Sequence, residues 1–502
     1  MWFVPEFPEF SGPYKVGTID VEIPIDELQS ASLSPLDNDS KIKTVQYRIF
    51  YPCDPNTDKD FVNWLPKPQR AYLAGYCKLL NVKNNMADYL SYIPSPFSFI
   101  KIPARVDAPI LDATTSNKRW PVMIFSHGLG GTRNTYSFLA GSLSSYGMII
   151  IAPEHRDGSA PISFIRNTSS EIKDSNQALS DGQSVEYVKL PHVSSPTVEE
   201  GRNSQLRIRL WELGLIHNSL LNINNGLPIK NLTSSSFDLS CLKARMDVET
   251  PGRISFAGHS FGAAAITQFV KSTFYSSTAY QAPADYKSLF SPDSNVSITK
   301  QINENTPVIL LDVWCLPLKA KETRWLWDRP FPSYSNEKSP GGKAILAIES
   351  EAFYKWVDHL QTTKQLLSPN LSSFTNQSNV GHNIPGWKEP LFYYAENSAH
   401  ISQSDFGLLY PYITNKFLGC EEPHRLMMLQ VRAIVQFLRD QNIELSPLST
   451  KDKELNINGD GIETDDDANI FGKEKRVRGW IRISAYGDNK SDINHHNRNE
   501  KT

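Results

Sequence analysis

Short, continuously apolar runs separated by polar and helix-like stretches set the plan of this chain. Val122–Phe125 (VMIF) and Met148–Ala152 (MIIIA) show no polar alternation, the mark of strands covered on both faces. Residues 134–145 between them read as a helix, which predicts a strand–helix–strand unit with a right-handed crossover. The rhythm returns with a strand Arg253–Ala257 (RISFA), a helix Gly262–Lys271, and strands Pro307–Val313 (PVILLDV) and Ala344–Ser350 (AILAIES). A last helix over Pro423–Arg439 closes the folded part. At the front, Val16–Ile25 and Lys43–Tyr51 read as strands, the second alternating as a half-buried strand does. The predicted fold class is α/β, one mostly parallel sheet flanked by helices.

Three stretches break the pattern. Residues 53–103 read as irregular, aromatic and proline-rich, and 158–245 as a polar insertion holding one long helix, Thr197–Leu221. Beyond about residue 445 the chain is charged, rich in Asn and Asp and poor in apolar residues, so disorder is expected. The expected organisation is a catalytic domain over 1–445 and a tail over 446–502.

The sharpest chemical signal is ISFAGHSFGAAA, Ile254–Ala265. It holds G-x-S-x-G as Gly258, His259, Ser260, Phe261 and Gly262, directly after an apolar strand and before a helix-forming run. A serine there occupies a sharp, strained turn, and its flanks are glycine because a Cβ would collide with strand and helix. The turn also sets the serine oxygen at a helix N-terminus, where free N–H groups and the dipole favour developing negative charge. Ser260 is the candidate nucleophile; the alternative is a purely structural turn. In IFSHGLGG, Ile124–Gly131, the loop after a strand is placed to give one oxyanion-hole N–H, from Leu129; Phe261 gives the other. His127 reads as a loop-ordering residue rather than a base.

A serine nucleophile needs a base, and the base needs an acid, following in the chain order Ser, Asp/Glu, His. Asp312 ends the apolar strand VILLD and is the candidate acid, with Glu349 at the end of the next strand as its rival; Asp157 precedes Ser260. For the base, His400 in NSAHISQSDF lies in a small-residue loop after LFYYA and before the last helix. His382 is the second choice, and His359, in helix-like FYKWVDHL, reads as a surface or packing residue.

Composition narrows the field. The chain has 40% hydrophobic and 21% charged residues and a net charge of −3, with no basic patch of the kind a nucleic-acid partner needs. No run of about 18 apolar residues is present, so no transmembrane segment is expected. The five cysteines are scattered without metal-ligand spacing and fit a reducing, cytoplasmic compartment. No H-E-x-x-H occurs, and neither metal nor cofactor is expected. Sequons at Asn167, Asn231, Asn295, Asn370 and Asn376 read as chance in an Asn/Ser-rich chain. Asn456–Asp467 has EF-hand-like offsets, but Asn at position one and Asp at position twelve favour a solvated acidic tail.

In order along the chain, several blocks resemble the plasma/type II platelet-activating-factor acetylhydrolases, calcium-independent phospholipase A2-like esterases of the α/β-hydrolase superfamily. They are SGPYKVGTIDVEI (Ser11–Ile23), YRIFYP (Tyr47–Pro52), FSHGLGGTRNTYS (Phe125–Ser137), APEHRDGSA (Ala152–Ala160), GHSFGAA, LLDVWCLPL (Leu310–Leu318) and ENSAHISQSDF (Glu396–Phe406). The resemblance implies an α/β-hydrolase fold with nucleophile Ser260, acid Asp312, base His400 and an oxyanion hole at Leu129 and Phe261, the residues already reached from position. It adds Glu154, His155, Arg156 and Asp157 as a structural network beside the site. Residues 158–245, Val270–Thr306 and the tail are longer or different from the family pattern. Neither an ordinary secretory signal nor an N-myristoyl site is read in Met1–Tyr14, which carries Trp2, Pro5, Pro8 and Pro13.

The activity implied is hydrolysis of the sn-2 ester of phospholipids with short or oxidised chains, the partner being lipid at an interface. Tyr89–Pro103 is the candidate docking surface; the alternative is an ordinary loop packed over the sheet. A general carboxylesterase or neutral-lipid lipase would use the same triad. An inactive binding module of this fold would usually have lost one of its members.

Overall fold

The computed structural model describes residues 4–37, 40–92, 95–168, 182–233, 237–369, 388–446, 470–471 and 477–486. Its strands are β1 (Lys15–Pro24), β2 (Thr44–Cys53), β3 (Phe61–Asn63), β4 (Lys101–Val106), β5 (Val122–Ser126), β6 (Ile149–Pro153), β7 (Ile162–Ile165) and β8 (Gln183–Glu186). They continue as β9 (Ser255–His259), β10 (Val308–Leu311), β11 (Ile345–Ser350), β12 (Leu391–Ala395) and β13 (Trp480–Arg482).

Eleven of these form one sheet in the order β13-β12-β11-β10-β9-β5-β6-β2-β1-β4-β3, while β7 and β8 pair apart from it. From β6 to β12 the sheet is parallel, and β2 runs antiparallel to both its neighbours. Within the parallel part, β6 to β12, the order reverses once, between β5 and β9, the kind of switch point at which open α/β sheets place their sites.

The unbroken apolar runs have a direct cause. Val122 and Ile124 of β5 face one core with helices Pro196–Asn224 and Phe261–Phe274. Met123 and Phe125 face the other, with helices Ser137–Ser145 and Pro423–Asp440. Both faces of the strand are covered, so no position is polar.

Several expectations shift. The helix expected from residue 134 starts at Ser137, because the buried Asp405 carboxylate accepts from the Ser137 and Phe138 N–H groups at 2.8 and 3.0 Å. The stretch 53–103 is less irregular than expected: it contains helices Gln69–Leu79 and Asn84–Leu90 and strands β3 and β4. The polar insertion is in large part core, since helix Pro196–Asn224 buries most of its length against the sheet. Part of the tail expected to be disordered is also ordered: Trp480–Arg482 adds strand β13 to the edge of β12, with Trp480 stacked on Tyr393 at 5.3 Å.

Candidate active site

The site lies at the C-terminal ends of the central strands. β9 runs into Ser260 at φ 56° and ψ −119°, and helix Phe261–Phe274 begins at the next residue. That backbone is strained for any residue with a Cβ. A Cβ on Gly258 would lie 2.5 Å from the Gly262 carbonyl carbon, and one on Gly262 would lie 2.0 Å from the Ser126 oxygen. The strand, the turn and the loop after β5 are therefore stacked too closely for any side chain at either glycine.

Ser260, Asp312 and His400 meet. His400 Nε2 is 2.9 Å from Ser260 Oγ, and His400 Nδ1 is 2.9 Å from Asp312 Oδ2. Asp312 follows β10 at φ 42° and is fully buried. Its carboxylate also accepts from the Ser350 N–H at 2.5 Å and the Ser350 hydroxyl at 2.7 Å. Burial pushes the Asp312 carboxyl up, but the hydrogen bond and charge of His400 outweigh it and hold the group below the ordinary carboxylate value. Phe353 stacks on the imidazole of His400 at 4.5 Å, and the His259 ring lies tilted against it at 4.4 Å.

The remaining candidates take other positions around or away from these three. Glu349 is buried beside Asp312, and burial together with that neighbour pushes its carboxyl well above the ordinary range. His359 is buried, stacks on Trp356 and accepts the Cys315 N–H at 3.2 Å; it packs, but not at the surface. His382 and the EF-hand-like stretch 456–467 lie outside the described residues. His259, Asp312 and His400 offer ligand atoms within 4.8 Å of one another. Both ring nitrogens of His400 are already committed to Asp312 and Ser260, an arrangement suited to proton relay rather than metal binding.

The loop after β5 is built by hydrogen bonds. Gly128 N–H donates to the Tyr136 hydroxyl at 3.1 Å, which also lies 2.7 Å from His259 Nδ1. Gly130 N–H donates to the Ser159 carbonyl at 2.8 Å, and Gly131 N–H turns back on Gly128 at 3.2 Å. Among the described residues, the N–H groups of Leu129 and Phe261 have no other acceptor. His127 is buried, its Nδ1 2.8 Å from the Gly128 carbonyl and its Nε2 accepting the His155 N–H at 3.2 Å, a loop-ordering position.

Glu154, His155, Arg156 and Asp157 are buried and each has a partner. Glu154 takes Arg133 at 2.9 Å, Arg156 reaches Glu22 at 2.9 Å, and Asp157 takes Arg209 at 2.7 Å. His155 bridges Ser126 Oγ at 2.9 Å and Glu212 at 2.7 Å. Burial holds His155 well below its ordinary value and pushes Glu212 up to about 8, both shifts favouring the uncharged forms.

Arg209 and Glu212 went unread in the sequence, as did Tyr136, His259 and Phe353 as neighbours of the triad. For Arg209 a signal existed. Leu206, Arg209, Leu210 and Leu213 occupy one helix stripe, and a charge on an apolar stripe calls for a buried partner.

A mostly parallel sheet, a strained serine between strand and helix, and a histidine joining it to a buried aspartate are the makings of a serine ester hydrolase of the α/β-hydrolase fold. Comparison with known proteins narrows the class. Residues 4–452 match the family model described as platelet-activating factor acetylhydrolase, isoform II, and the chain belongs to that family. A Schizosaccharomyces pombe protein named "Putative phospholipase A2" is 27% identical over 497 residues, covering 95% of this chain and 98% of that one. The platelet-activating factor acetylhydrolase of Cavia porcellus is 31% identical over 261 residues, 52% of this chain and 51% of its own. That of Gallus gallus is 29% identical over 344 residues, 67% and 68% of the two chains. Among solved structures, a ferulic acid esterase from Streptomyces cinnamoneus superposes with a TM-score of 0.48 at 15% identity, covering 90% of this chain and 98% of its own.

Proposed function

We propose that this chain hydrolyses the sn-2 ester of phospholipids carrying short or oxidised acyl chains, through an acyl-enzyme on Ser260. The observation that carries the reading is the continuous hydrogen-bonded line Ser260–His400–Asp312 in a chain of this family.

His400 Nε2 takes the Ser260 proton as Oγ bonds to the ester carbonyl carbon, and the carbonyl electron pair moves onto oxygen. The N–H groups of Leu129 and Phe261 receive that oxyanion, donors worth about 3–4 kcal/mol each in such sites. Asp312 holds the imidazolium in place. The tetrahedral adduct collapses, the bond to the lysophospholipid oxygen breaks, and His400 returns the proton to that oxygen. Water then repeats the sequence on the acyl-enzyme, with His400 as base, and releases the fatty acid and free Ser260.

The lipid meets the enzyme at an interface. Tyr89, Tyr92 and Phe99, in the stretch expected to dock, are exposed, as are Tyr412, Ile413 and Phe417 on helix Pro411–Leu418. The two patches adjoin through Phe97 and Tyr410, whose rings lie 4.9 Å apart. That helix follows the His400 loop, which favours docking over simple loop packing. Among the described residues no helix is long and apolar enough to cross a membrane. All five cysteines are free, which supports a reducing, cytoplasmic setting. The Asn231 side chain bonds Glu22 and Asp20 backbone groups at 3.0 Å, so that sequon serves the fold.

The test is hydrolysis of phosphatidylcholines matched except for short, oxidised or long sn-2 chains, in EDTA. Release of short or oxidised chains is expected. Turnover of soluble esters alone would move the chain to the general carboxylesterases.

A further inference from the structure

We propose that Arg209 is the positioning residue of the oxyanion hole: its one buried guanidinium ties down the loop that supplies one N–H and packs on the ring of Phe261, the residue that supplies the other. The inference rests on the assignment of that hole to Leu129 and Phe261.

Arg209 lies on helix Pro196–Asn224 and is fully buried, so it acts through its neighbours and not on substrate. Its Nη1 donates to the His127 carbonyl at 2.6 Å and to Ser126 Oγ at 3.2 Å, which fixes the chain just before Leu129. Its Nη2 donates to Ser159 Oγ at 2.5 Å, and the Ser159 carbonyl accepts the Gly130 N–H at 2.8 Å, which fixes the chain just after Leu129. The face of the guanidinium lies 4.6 Å from the centre of the Phe261 ring, on the residue giving the second N–H. Asp157 completes the arrangement, taking Nε at 2.7 Å and balancing the charge.

A planar fork with five donors can serve Asp157, Ser159, Ser126 and His127 at once while stacking on a ring. A lysine keeps the charge but cannot do this. Loosening the clamp lets the two N–H groups drift relative to each other. That weakens their grip on a developing oxyanion far more than on a bound substrate.

The experiment uses Arg209→Lys in the full chain, with a soluble short-chain ester, whose turnover does not depend on which phospholipid the enzyme prefers. A fall in kcat of about 100-fold is expected, with KM within about twofold. Affinity for a trifluoromethyl ketone, whose adduct with Ser260 places an oxyanion in the hole, falls by a similar factor. Binding of a non-hydrolysable ether analogue stays unchanged. Wild-type kcat in the folded variant, or equal weakening of ketone and ether, would overturn the proposal. Should Arg209→Lys not fold, Ser159→Ala removes one tie and leaves the Arg209–Asp157 pair. About a tenfold loss of kcat at constant KM is then expected, and no loss overturns the clamp.

Discussion

The ring of Phe353 lies parallel to the imidazole of His400, 8° between planes and 4.5 Å between centroids. The imidazole is 39% exposed, so its orientation rests on this contact and on Asp312. Phe353→Ala should free the ring to tilt and lower kcat on a soluble ester by about 10–100-fold, with KM little changed. Steady-state kinetics check this; an unaltered kcat would mean that Asp312 alone sets the ring.

Tyr136 gives one hydroxyl to two partners, the Gly128 N–H and His259 Nδ1. Tyr136→Phe leaves both buried and unpaired. The expected loss of unfolding free energy is about 1–3 kcal/mol, measured by urea denaturation, together with lower kcat. A variant as stable as wild type would show that water replaces the hydroxyl.

Gly262 touches the chain end of β5 so closely that a methyl group would sit 2.0 Å from the Ser126 oxygen. Gly262→Ala should cost at least about 3 kcal/mol, or prevent folding, because the contact is with backbone that cannot rotate away. Expression yield and thermal melting report it.

Burial pushes His127, His217 and His359 each down to about 4. In the unfolded chain they take up protons near 6.5, so the folded state falls behind as pH drops. Their stabilising effect is complete above about pH 6.5 and is lost as pH falls toward 4, each shift being on the order of 3 kcal/mol. His217 owes its shift to burial alone. His217→Leu should therefore flatten the decline in melting temperature between about pH 6.5 and 4.5. An unchanged slope would contradict the buried, neutral state of His217.

Much of this was readable from residue order. Strands covered on both faces announce themselves as unbroken apolar runs, which is why β5, β6, β9 and β11 fell within about two residues of expectation. That Ser260, Asp312 and His400 come together was readable because the proposed chemistry demands a chain order and positions after strand ends; Asp312 directly follows β10, and His400 lies in the loop after β12. What escaped notice depends on distant partners. Strand β13 is three residues long and exists through Tyr393 stacking and Glu389, which accepts from Ser484, Ala485 and Tyr486. Helix Gln69–Leu79 is anchored by the buried Tyr72, whose hydroxyl donates to Glu154 at 3.1 Å, a contact across 82 residues that no local pattern carries. Pro68, at its N-terminal boundary, was the one local cue.

In the proposed reaction Ser260 carries the acyl group of a phospholipid during turnover. The direct measurement is an acid-quenched reaction of the enzyme with a short-chain phosphatidylcholine, followed by mass spectrometry of the peptide spanning Ser260. The sn-2 acyl group is expected esterified to Ser260 in the wild type, with neither adduct nor turnover in Ser260→Ala. Turnover persisting in Ser260→Ala, or the acyl group found on another residue, would contradict this reading.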